Sequence, residues 1–269
     1  MCHFSLKSQH RYKSCGAVNV VEGGSLCGSR NMAIQLAKSQ NKMCVEISDD
    51  ISRCVVIHSD EPWTKPANLT ECNALAKSFE WLRVSPPNAA RYVELQMREC
   101  GAKLGGAYPT QNKGQAFCND VFSTDLFVVG DFLVIDPKSK PRFDEGMTLK
   151  EDYDFTSQHL KKYGVVARSN RLIVIAKHYT NAGGAVEARN DEREQYNIAV
   201  LRHKWPGVFP QHATRGVNEV RMSWKIRDIG LGGKKAITRP PAPKGYVASN
   251  IGVPPVEKKK SIMSFFGKK

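Results

Sequence analysis

The stretch LKEDYDFTSQHLKKYGVVARSNRLIVIAKHY, residues 149–179, decides the fold class. Three acids crowd one turn near its start, where the dipole of a helix favours negative charge, so we predict a helix that extends to Gly164. The apolar run RLIVIAKHY, residues 171–179, is typical of a buried strand. A helix followed by a strand indicates an α/β protein, in which helices cover the faces of a sheet.

The same alternation of strands and helices precedes and follows this stretch. We predict strands in AVNVVEGG (17–24), KMCVEISDDI (42–51) and RCVVIH (53–58), and a β-rich pair around Gly130 in LFVVGDFLVID (126–136). Helices are predicted in GSRNMAIQLAKSQ (28–40), LTECNALAKSFEWLRV (69–84), PNAARYVELQMRECG (87–101) and residues 192–205. The pattern predicts a single α/β domain over residues 1–228, with helices on both faces of a sheet.

The composition is that of a soluble globular protein, with 41% hydrophobic and 25% charged residues. Neither a run of 18 apolar residues nor a long apolar stretch at the N-terminus is present, so we expect no membrane partner and no secretory signal. The eight cysteines occur singly, without a C-x-x-C pair. We therefore expect reduced thiols in an intracellular protein.

The net charge of +14 is concentrated at the C-terminus. Residues 229–269 hold nine Lys and Arg but one acid, Glu257, and five of the 14 prolines. This composition predicts a disordered basic tail, with a Pro/Lys-rich linker over 229–257. Its charge favours association with nucleic acid, although a linker that only improves solubility has the same composition.

Two adjacent acids, Asp49 and Asp50, follow an apolar strand. Ligands of open α/β sheets bind beyond the carboxyl ends of strands, and neighbouring carboxylates repel each other unless a cation lies beside them. The pair is thus a candidate site for Mg²⁺ or Mn²⁺ with a bound phosphate. The structural alternative is a helix N-cap followed by a solvated acid.

Glu151, Asp152 and Asp154 form a second acidic group, at the start of the predicted helix. A carboxylate directed into a cleft there can act as general base towards a hydroxyl, whereas the alternative is stabilisation of the helix dipole alone. His178 follows the apolar strand and precedes Gly183 and Gly184. It is either a structural histidine or the residue that completes a metal site.

The turn GGSLCGSRN, residues 23–31, is a third candidate. Glycines at the junction of a strand and a helix expose backbone N–H groups, and Arg30 adds a positive charge, so a phosphate group can bind there. The turn is neither a P-loop nor a complete G-x-G-x-x-G sequence, so this signal is weak.

The order of these groups resembles the GT-A class of nucleotide-sugar glycosyltransferases, and the similarity covers residues 17–225. The resemblance implies a GT-A fold, a Rossmann-like mixed sheet flanked by helices. The string RFDEGMTLKEDYDFTSQHLKKYGVVARSNRLIVIAKHYTNAGGAVEARN, residues 142–190, is similar to the TET/JBP-associated glycosyltransferases. The resemblance implies a metal-dependent enzyme with Mn²⁺ or Mg²⁺ as cofactor and a UDP-sugar as donor. It further implies transfer of the sugar to a hydroxylated pyrimidine base in DNA.

Site residues follow from the resemblance by position. Asp50 matches the metal-binding acid of the DxD motif, and Asp49 matches its middle position. His178 matches the metal-binding histidine. The catalytic pair is Glu151 and Asp152, with Asp152 as base, which favours an inverting displacement.

Three further points of the resemblance concern the nucleotide. Arg30 and Asn31 match an RN pair that precedes the DxD strand, so they are expected to bind the nucleotide sugar. Ser48 stands where the first acid of the DxD motif is usual. The strand that lines the base pocket is short or missing before residue 17, with CHFSLKSQHR as its remnant or the chain beginning late, which is expected to weaken nucleotide binding.

The last residues, 258–269, form a separate motif. Lys259-x-x-Ile262-x-x-Phe265-Phe266 resembles the PCNA-interacting peptide, with Lys in place of the usual Gln. The apolar residues lie at i, i+3 and i+4, on one face of a helical turn. The resemblance implies binding to a sliding clamp of the PCNA type, while a membrane-surface anchor and docking onto the protein's own domain are the alternatives.

Together these features predict an enzyme that glycosylates DNA at the replication fork, in the nucleus or in a virus. Basic residues are expected to hold the DNA backbone: Arg168, Arg171 and Arg189. One alternative is an inactive glycosyltransferase-like adaptor that binds DNA and the clamp. The other is a glycosyltransferase that acts on protein hydroxyls.

Overall fold

The computed structural model describes residues 2–4, 14, 20–22, 24–58, 64–176, 190–211, 216–224 and 240–242. Within these ranges the strands are β1 (Cys2–Phe4), β2 (Val20–Glu22), β3 (Cys44–Ile47), β4 (Ile51–His58), β5 (Glu80–Val84), β6 (Leu104–Tyr108), β7 (Phe122–Ser123), β8 (Phe132–Ile135) and β9 (Ala167–Ala176). The helices are α1 (Leu26–Ser39), α2 (Leu69–Ser78), α3 (Pro86–Cys100), α4 (Lys113–Phe117), α5 (Glu151–Tyr163) and α6 (Asp191–Lys204). None of them is long and apolar enough to cross a bilayer.

Seven strands form one mixed sheet in the order β3-β8-β6-β9-β4-β5, with β7 beside β9. β6 and β9 are parallel, and the other neighbours in this sheet are antiparallel. β1 and β2 form a separate two-stranded parallel sheet, in which Cys2 is paired with Val20. The predicted mixed α/β sheet with flanking helices is thus confirmed.

The large sheet curls, because residues 48–50 alone connect β3 to β4. In a flat sheet these strands, four positions apart, would be about 19 Å from each other at about 4.8 Å per position. The four Cα–Cα steps from Ile47 to Ile51 span at most about 15 Å. The curl therefore brings the end of β3 to the start of β4, and Ile51 pairs with Ala176 at the end of β9.

Helices cover both faces of the sheet because its central strands are apolar on both sides. Along β8, Leu133 and Ile135 pack with α1, α5 and α6, whereas Phe132 and Val134 pack with α3 on the opposite face. α2 and α4 cover the part of the sheet formed by β4 and β9. The candidate catalytic helix α5 is therefore held on the face that carries Leu133.

Two predicted elements are wrong. The segment 69–84 is a helix only as far as Ser78, and its remainder is β5, because the β-prone residues Trp81, Leu82 and Val84 pair with β4. The segment 126–136 contains one strand, β8, because residues 126–131 form the loop that leads into it. The helices predicted at 28–40, 87–101, 149–164 and 192–205 are confirmed.

The expectation that all cysteines are reduced is also wrong. Cys72 in α2 and Cys118, directly after α4, form a disulfide. Their side chains meet because the two short helices pack closely enough for a Cβ on Gly114 to clash with Asn73. Free thiols in the described part of the chain are Cys27, Cys44, Cys54 and Cys100.

Candidate active site

The first turn of α5 carries the acids that define the candidate site. Lys150, the residue before the helix, has a left-handed backbone with φ 62°, a conformation that costs a non-glycine residue about 1–2 kcal/mol. Its ammonium offsets this strain by an ion pair of 2.6 Å with Glu194 and a hydrogen bond to Asn218 O. The strained entry fixes where Glu151 and Asp152 begin the helix.

Arg30 of α1 lies at the centre of a group of buried acids. Its Nε is 3.7 Å from Glu46 of β3, and its Nη1 is 3.6 Å from Glu151. Its Nη2 donates a hydrogen bond of 3.1 Å to Gly130 O, and the guanidinium stacks 5.0 Å from the Phe143 ring. One cation thus joins α1, β3, α5 and the loop before β8.

Gly130 connects Arg30 to Asp152. Its carbonyl accepts from Arg30, and its N–H donates to Asp152 Oδ2 at 3.0 Å. A Cβ at this position would lie 3.0 Å from Arg30 Nη1 and 3.3 Å from Asp152 Cβ, closer than most such contacts in proteins. The absence of a side chain at Gly130 is therefore what allows the two charged groups to approach the backbone of the same residue.

Two carboxyl groups of this cluster, those of Asp152 and Glu46, bind protons more tightly than usual. Burial raises the pKa of Asp152, although the Gly130 N–H and the charge of Arg30 oppose the shift. Burial likewise raises the pKa of Glu46 to about 7, against the lowering effect of Arg30. Both oxygens of Glu46 are buried without a hydrogen bond within the described structure. A carboxyl with a raised pKa is suited to exchange protons near neutral pH.

The Asp49–Asp50 turn lies beside the loop that contains Gly130, where β3 ends and β8 begins. Ser48 N donates to Asp131 O at 2.9 Å, so the turn contacts the residue that follows Gly130. Ser48 Oγ donates to Asp50 Oδ1 at 2.6 Å, which orients that carboxylate. The two acidic groups predicted from the sequence are therefore both attached to the Gly130–Asp131 turn.

The oxygen donors of Asp49 and Asp50 fit a hard cation such as Mg²⁺ or Mn²⁺. In the ranges that the structure describes, no group of three or more His, Cys, Asp or Glu side chains is arranged to hold a metal. His178, which was predicted to bind the metal together with Asp50, lies outside the described residues. β9 ends at Ala176, opposite Ile51, so the described end of this strand reaches the residue that follows Asp50.

Asn31 and Asp154 have structural contacts. The Asn31 amide donates to Phe143 O at 2.9 Å and accepts from Phe143 N at 2.8 Å, which ties α1 to the loop before α5. Asp154 is fully buried and accepts from Trp205 Nε1 and pairs with Lys204, both at 2.7 Å. Asn31 is thus not in the acid cluster, and nucleotide binding by it and by Arg30 stays a prediction.

Two members of the site were missed in the sequence. Glu46 occupies the same face of β3 as the buried Cys44, so a charged residue at an inward position of an apolar strand was the available signal. Gly130 was recognised only as the centre of a predicted β-rich pair. Its role depends on contacts with residues 22 and 100 positions away, and local sequence gives no sign of them.

The arginines predicted to hold DNA differ from expectation. Arg168 and Arg171 are only 7% and 4% exposed, because both project from β9 into the protein. Neither can lie along a duplex backbone at the surface. Arg189 is outside the described residues, as are residues 258–269, which are predicted to bind a clamp, and all of the linker except residues 240–242.

Comparisons with protein-family models, with curated proteins and with solved structures gave no significant match. The interpretation of the site therefore depends on its geometry and on the sequence motifs.

Proposed function

We propose that the protein is a metal-dependent glycosyltransferase that transfers the sugar of a UDP-sugar to a hydroxylated pyrimidine base in DNA. The observation that carries this proposal is the half-buried Asp152 carboxylate. It has a raised pKa, it is fixed by the Gly130 amide, and its loop is bonded to the Asp49–Asp50 turn. A base next to an acidic turn, both beyond the ends of strands of one sheet, is what the sequence motifs require.

Asp152 is proposed as the general base. Oδ2 accepts from Gly130 N and Oδ1 accepts from Tyr153 N, so backbone amides hold both oxygens. Each oxygen keeps a second lone pair, with which the carboxylate can accept the proton of an acceptor hydroxyl. As that proton leaves, the hydroxyl oxygen attacks the anomeric carbon and the nucleoside diphosphate departs, which gives inversion.

Asp50, together with His178, is proposed to hold the divalent cation. When bound, the cation stabilises the charge that develops on the departing diphosphate. The chain's own contribution is the hydrogen bond from Ser48 to Asp50, which fixes the carboxylate before any ligand binds. Asp49 is proposed to contact the nucleotide sugar.

The C-terminal peptide supplies the location of the reaction. Lys259, Ile262, Phe265 and Phe266 are proposed to bind a sliding clamp of the PCNA type, which brings the enzyme to newly replicated DNA in the nucleus or during viral replication. The basic linker adds a non-specific attraction to DNA. Changing both Phe265 and Phe266 to Ala should abolish retention on immobilised clamp, while sugar transfer to free DNA continues.

The test is incubation of hydroxymethylated duplex DNA with a panel of UDP-sugars and Mn²⁺, followed by mass analysis of the nucleosides. We expect the protein to add a hexose and Asp50→Ala to be inactive. If no sugar reaches DNA but labelled sugar enters protein, the acceptor is a protein hydroxyl.

An inactive, clamp-bound DNA adaptor is the second candidate. Ser48 favours it, because a serine bonded to Asp50 replaces the acid that usually begins the metal motif. Calorimetric titration with UDP-glucose in Mn²⁺ separates the two functions. An enzyme should bind the nucleotide sugar more tightly when Mn²⁺ is present, whereas an adaptor should show no Mn²⁺-dependent binding of the nucleotide sugar.

A further inference from the structure

A long bulge interrupts the pairing of β6 with β9. Between two paired positions β6 advances two residues, from Gly106 to Tyr108, whereas β9 advances five, from Arg168 to Ile173. The bulge places three polar residues in the buried centre of the sheet: Ser169, Asn170 and Arg171. Bulges redirect side chains and occur often beside functional sites.

Asn170 makes this bulge a rigid structure. Its backbone N–H donates to Val121 O, and its side-chain amide donates to Asp120 O and Ser123 Oγ, each at 2.8 to 2.9 Å. The amide oxygen accepts from Arg168 Nε at 3.0 Å. The direction of the Arg168 guanidinium is therefore fixed by the bulge.

Arg168 differs from its neighbour Arg171 in how its terminal nitrogens are used. Arg171 donates through both of them, to Ala116 O, Asn170 O and Asn119 O. Within the described part of the chain, the Arg168 side chain makes a single hydrogen bond, from Nε to Asn170 Oδ1. Its guanidinium carbon lies 5.1 Å from the centroid of the Tyr108 ring, and the residue is only 7% exposed. Two NH₂ groups of a fixed cation are thus left for an acceptor that the described chain does not supply.

The charges around Arg168 leave it able to bind an anion. Burial lowers the pKa of Arg168, while Tyr108 and the carboxylate of Asp125 raise it. Arginine stays protonated far above neutral pH even when its pKa falls somewhat. Asp125 competes for the same charge, so any ligand must bind more strongly than this acid does.

The fold sets Arg168 on the same face as the candidate active site. Paired residues of adjacent strands project to one face, so Arg168 shares the face of Gly106. A Cβ on Gly106 would meet Val128, which is hydrogen-bonded to Thr156 of α5. Tyr108 and Gly130 lie at neighbouring ends of β6 and β8, at one edge of the sheet.

We propose that Arg168 binds a phosphate group through its two terminal NH₂ groups, and that this group belongs to the diphosphate of the sugar donor. A planar guanidinium that is held by its Nε suits two parallel hydrogen bonds to one phosphate. Because Arg168 is only 7% exposed, the backbone of a duplex is excluded and a ligand of this arginine must be a small anion. The assignment to the donor rests on the proposed function, whereas phosphate binding itself does not.

Titration with pyrophosphate in the presence of a metal chelator tests the proposal. We expect binding by the wild-type chain, a loss of at least about tenfold in Arg168→Gln, and an intermediate affinity in Arg168→Lys, which keeps the charge but not the paired donors. Arg98→Gln is the matched control, because Arg98 is exposed and pairs with Glu94 on the outside of α3. It should bind pyrophosphate as the wild type does.

A direct readout on the wild-type chain covers the case in which a variant does not fold. The ¹⁵Nε–¹H signal of Arg168 should shift on addition of pyrophosphate and of UDP, and not on addition of a duplex oligonucleotide. An unmoved signal, wild-type affinity in Arg168→Gln, or a shift with DNA alone would each overturn the proposal. Pyrophosphate binding without sugar transfer would leave the phosphate site standing and count against the glycosyltransferase.

Discussion

The amide of Gly130 donates a hydrogen bond of 3.0 Å to Asp152 Oδ2, and the carbonyl of the same glycine accepts from Arg30. One residue thus fixes both the proposed base and the cation beside it. The next residue, Asp131, accepts from the backbone of Ser48, so the acidic turn is tied to the same loop.

Gly130→Ala should inactivate the protein while it still folds. The new methyl group would lie 3.0 Å from Arg30 Nη1 and would push the guanidinium or Asp152 out of place. We expect a stability loss of about 1–3 kcal/mol and a fall in sugar transfer on the order of 100-fold, since a displaced catalytic group is costly. Denaturant melts and initial rates measure the two effects. Gly216→Ala, where the nearest atom is 4.0 Å away, should change neither.

Glu46 should make the protein more stable in mild acid than at neutral pH. Its folded pKa is about 7 and its ordinary value 4.5, so between these values the native state holds a proton that the unfolded chain releases. Stability is then lost as pH rises through this window, by about 3 kcal/mol. Glu46→Gln removes the titrating group, so its denaturant midpoints should vary less from pH 4.5 to 7. Parallel curves for the variant and the wild type would refute the assignment.

His159 should act in the opposite direction. Burial lowers its pKa from 6.5 to about 4, although the bond to Phe155 O raises it, and Ser139 Oγ donates to the second ring nitrogen. The unfolded chain therefore takes up a proton first, and stability falls by about 3 kcal/mol as pH drops from 6.5 to 4. In His159→Leu this acid-dependent loss should disappear, at the cost of the two hydrogen bonds. His203→Gln, on the exposed side of α6, should keep the wild-type slope.

Reduction of the Cys72–Cys118 disulfide should lower stability by about 2–4 kcal/mol, because the bond closes a segment of 46 residues. Chemical denaturation with and without a thiol reductant measures this difference. Cys72→Ser should show the same loss without reductant and no response to it. Cys100→Ser, at a half-buried free thiol, should respond to the reductant as the wild type does. Equal midpoints in both conditions would contradict the disulfide.

The sequence predicts the elements whose periodicity is local and misses those whose residues serve a distant contact. α3 is predictable because local residues mark its ends: Ser85 accepts from Asn88 N, and Gly101 is left-handed. β6 was missed because LGGAY has two glycines, a residue that strands disfavour. These glycines are required by packing, since a Cβ on Gly105 would lie 2.6 Å from Val93 of α3.

The candidate site shows the same division. Three acids near the start of α5 look equivalent in the sequence: Glu151, Asp152 and Asp154. In the folded protein they have different partners. Asp154 is bound by Trp205 and Lys204 of the α6 region, while Asp152 faces Gly130. No local sequence pattern distinguishes Asp152 from Asp154, because their partners come from different segments that pack on different sides of α5.

The most direct test of the central claim is sugar transfer by Asp152→Asn to hydroxymethylated DNA, with UDP-sugar and Mn²⁺, quantified from the digested nucleosides. Asparagine keeps the shape and can still accept from Gly130 N, but it cannot take a proton. We predict a rate at least about 100-fold below the wild type. Asp136→Asn, at the opposite end of β8, is the control and should be as active as the wild type. Transfer by Asp152→Asn at the wild-type rate would contradict the account.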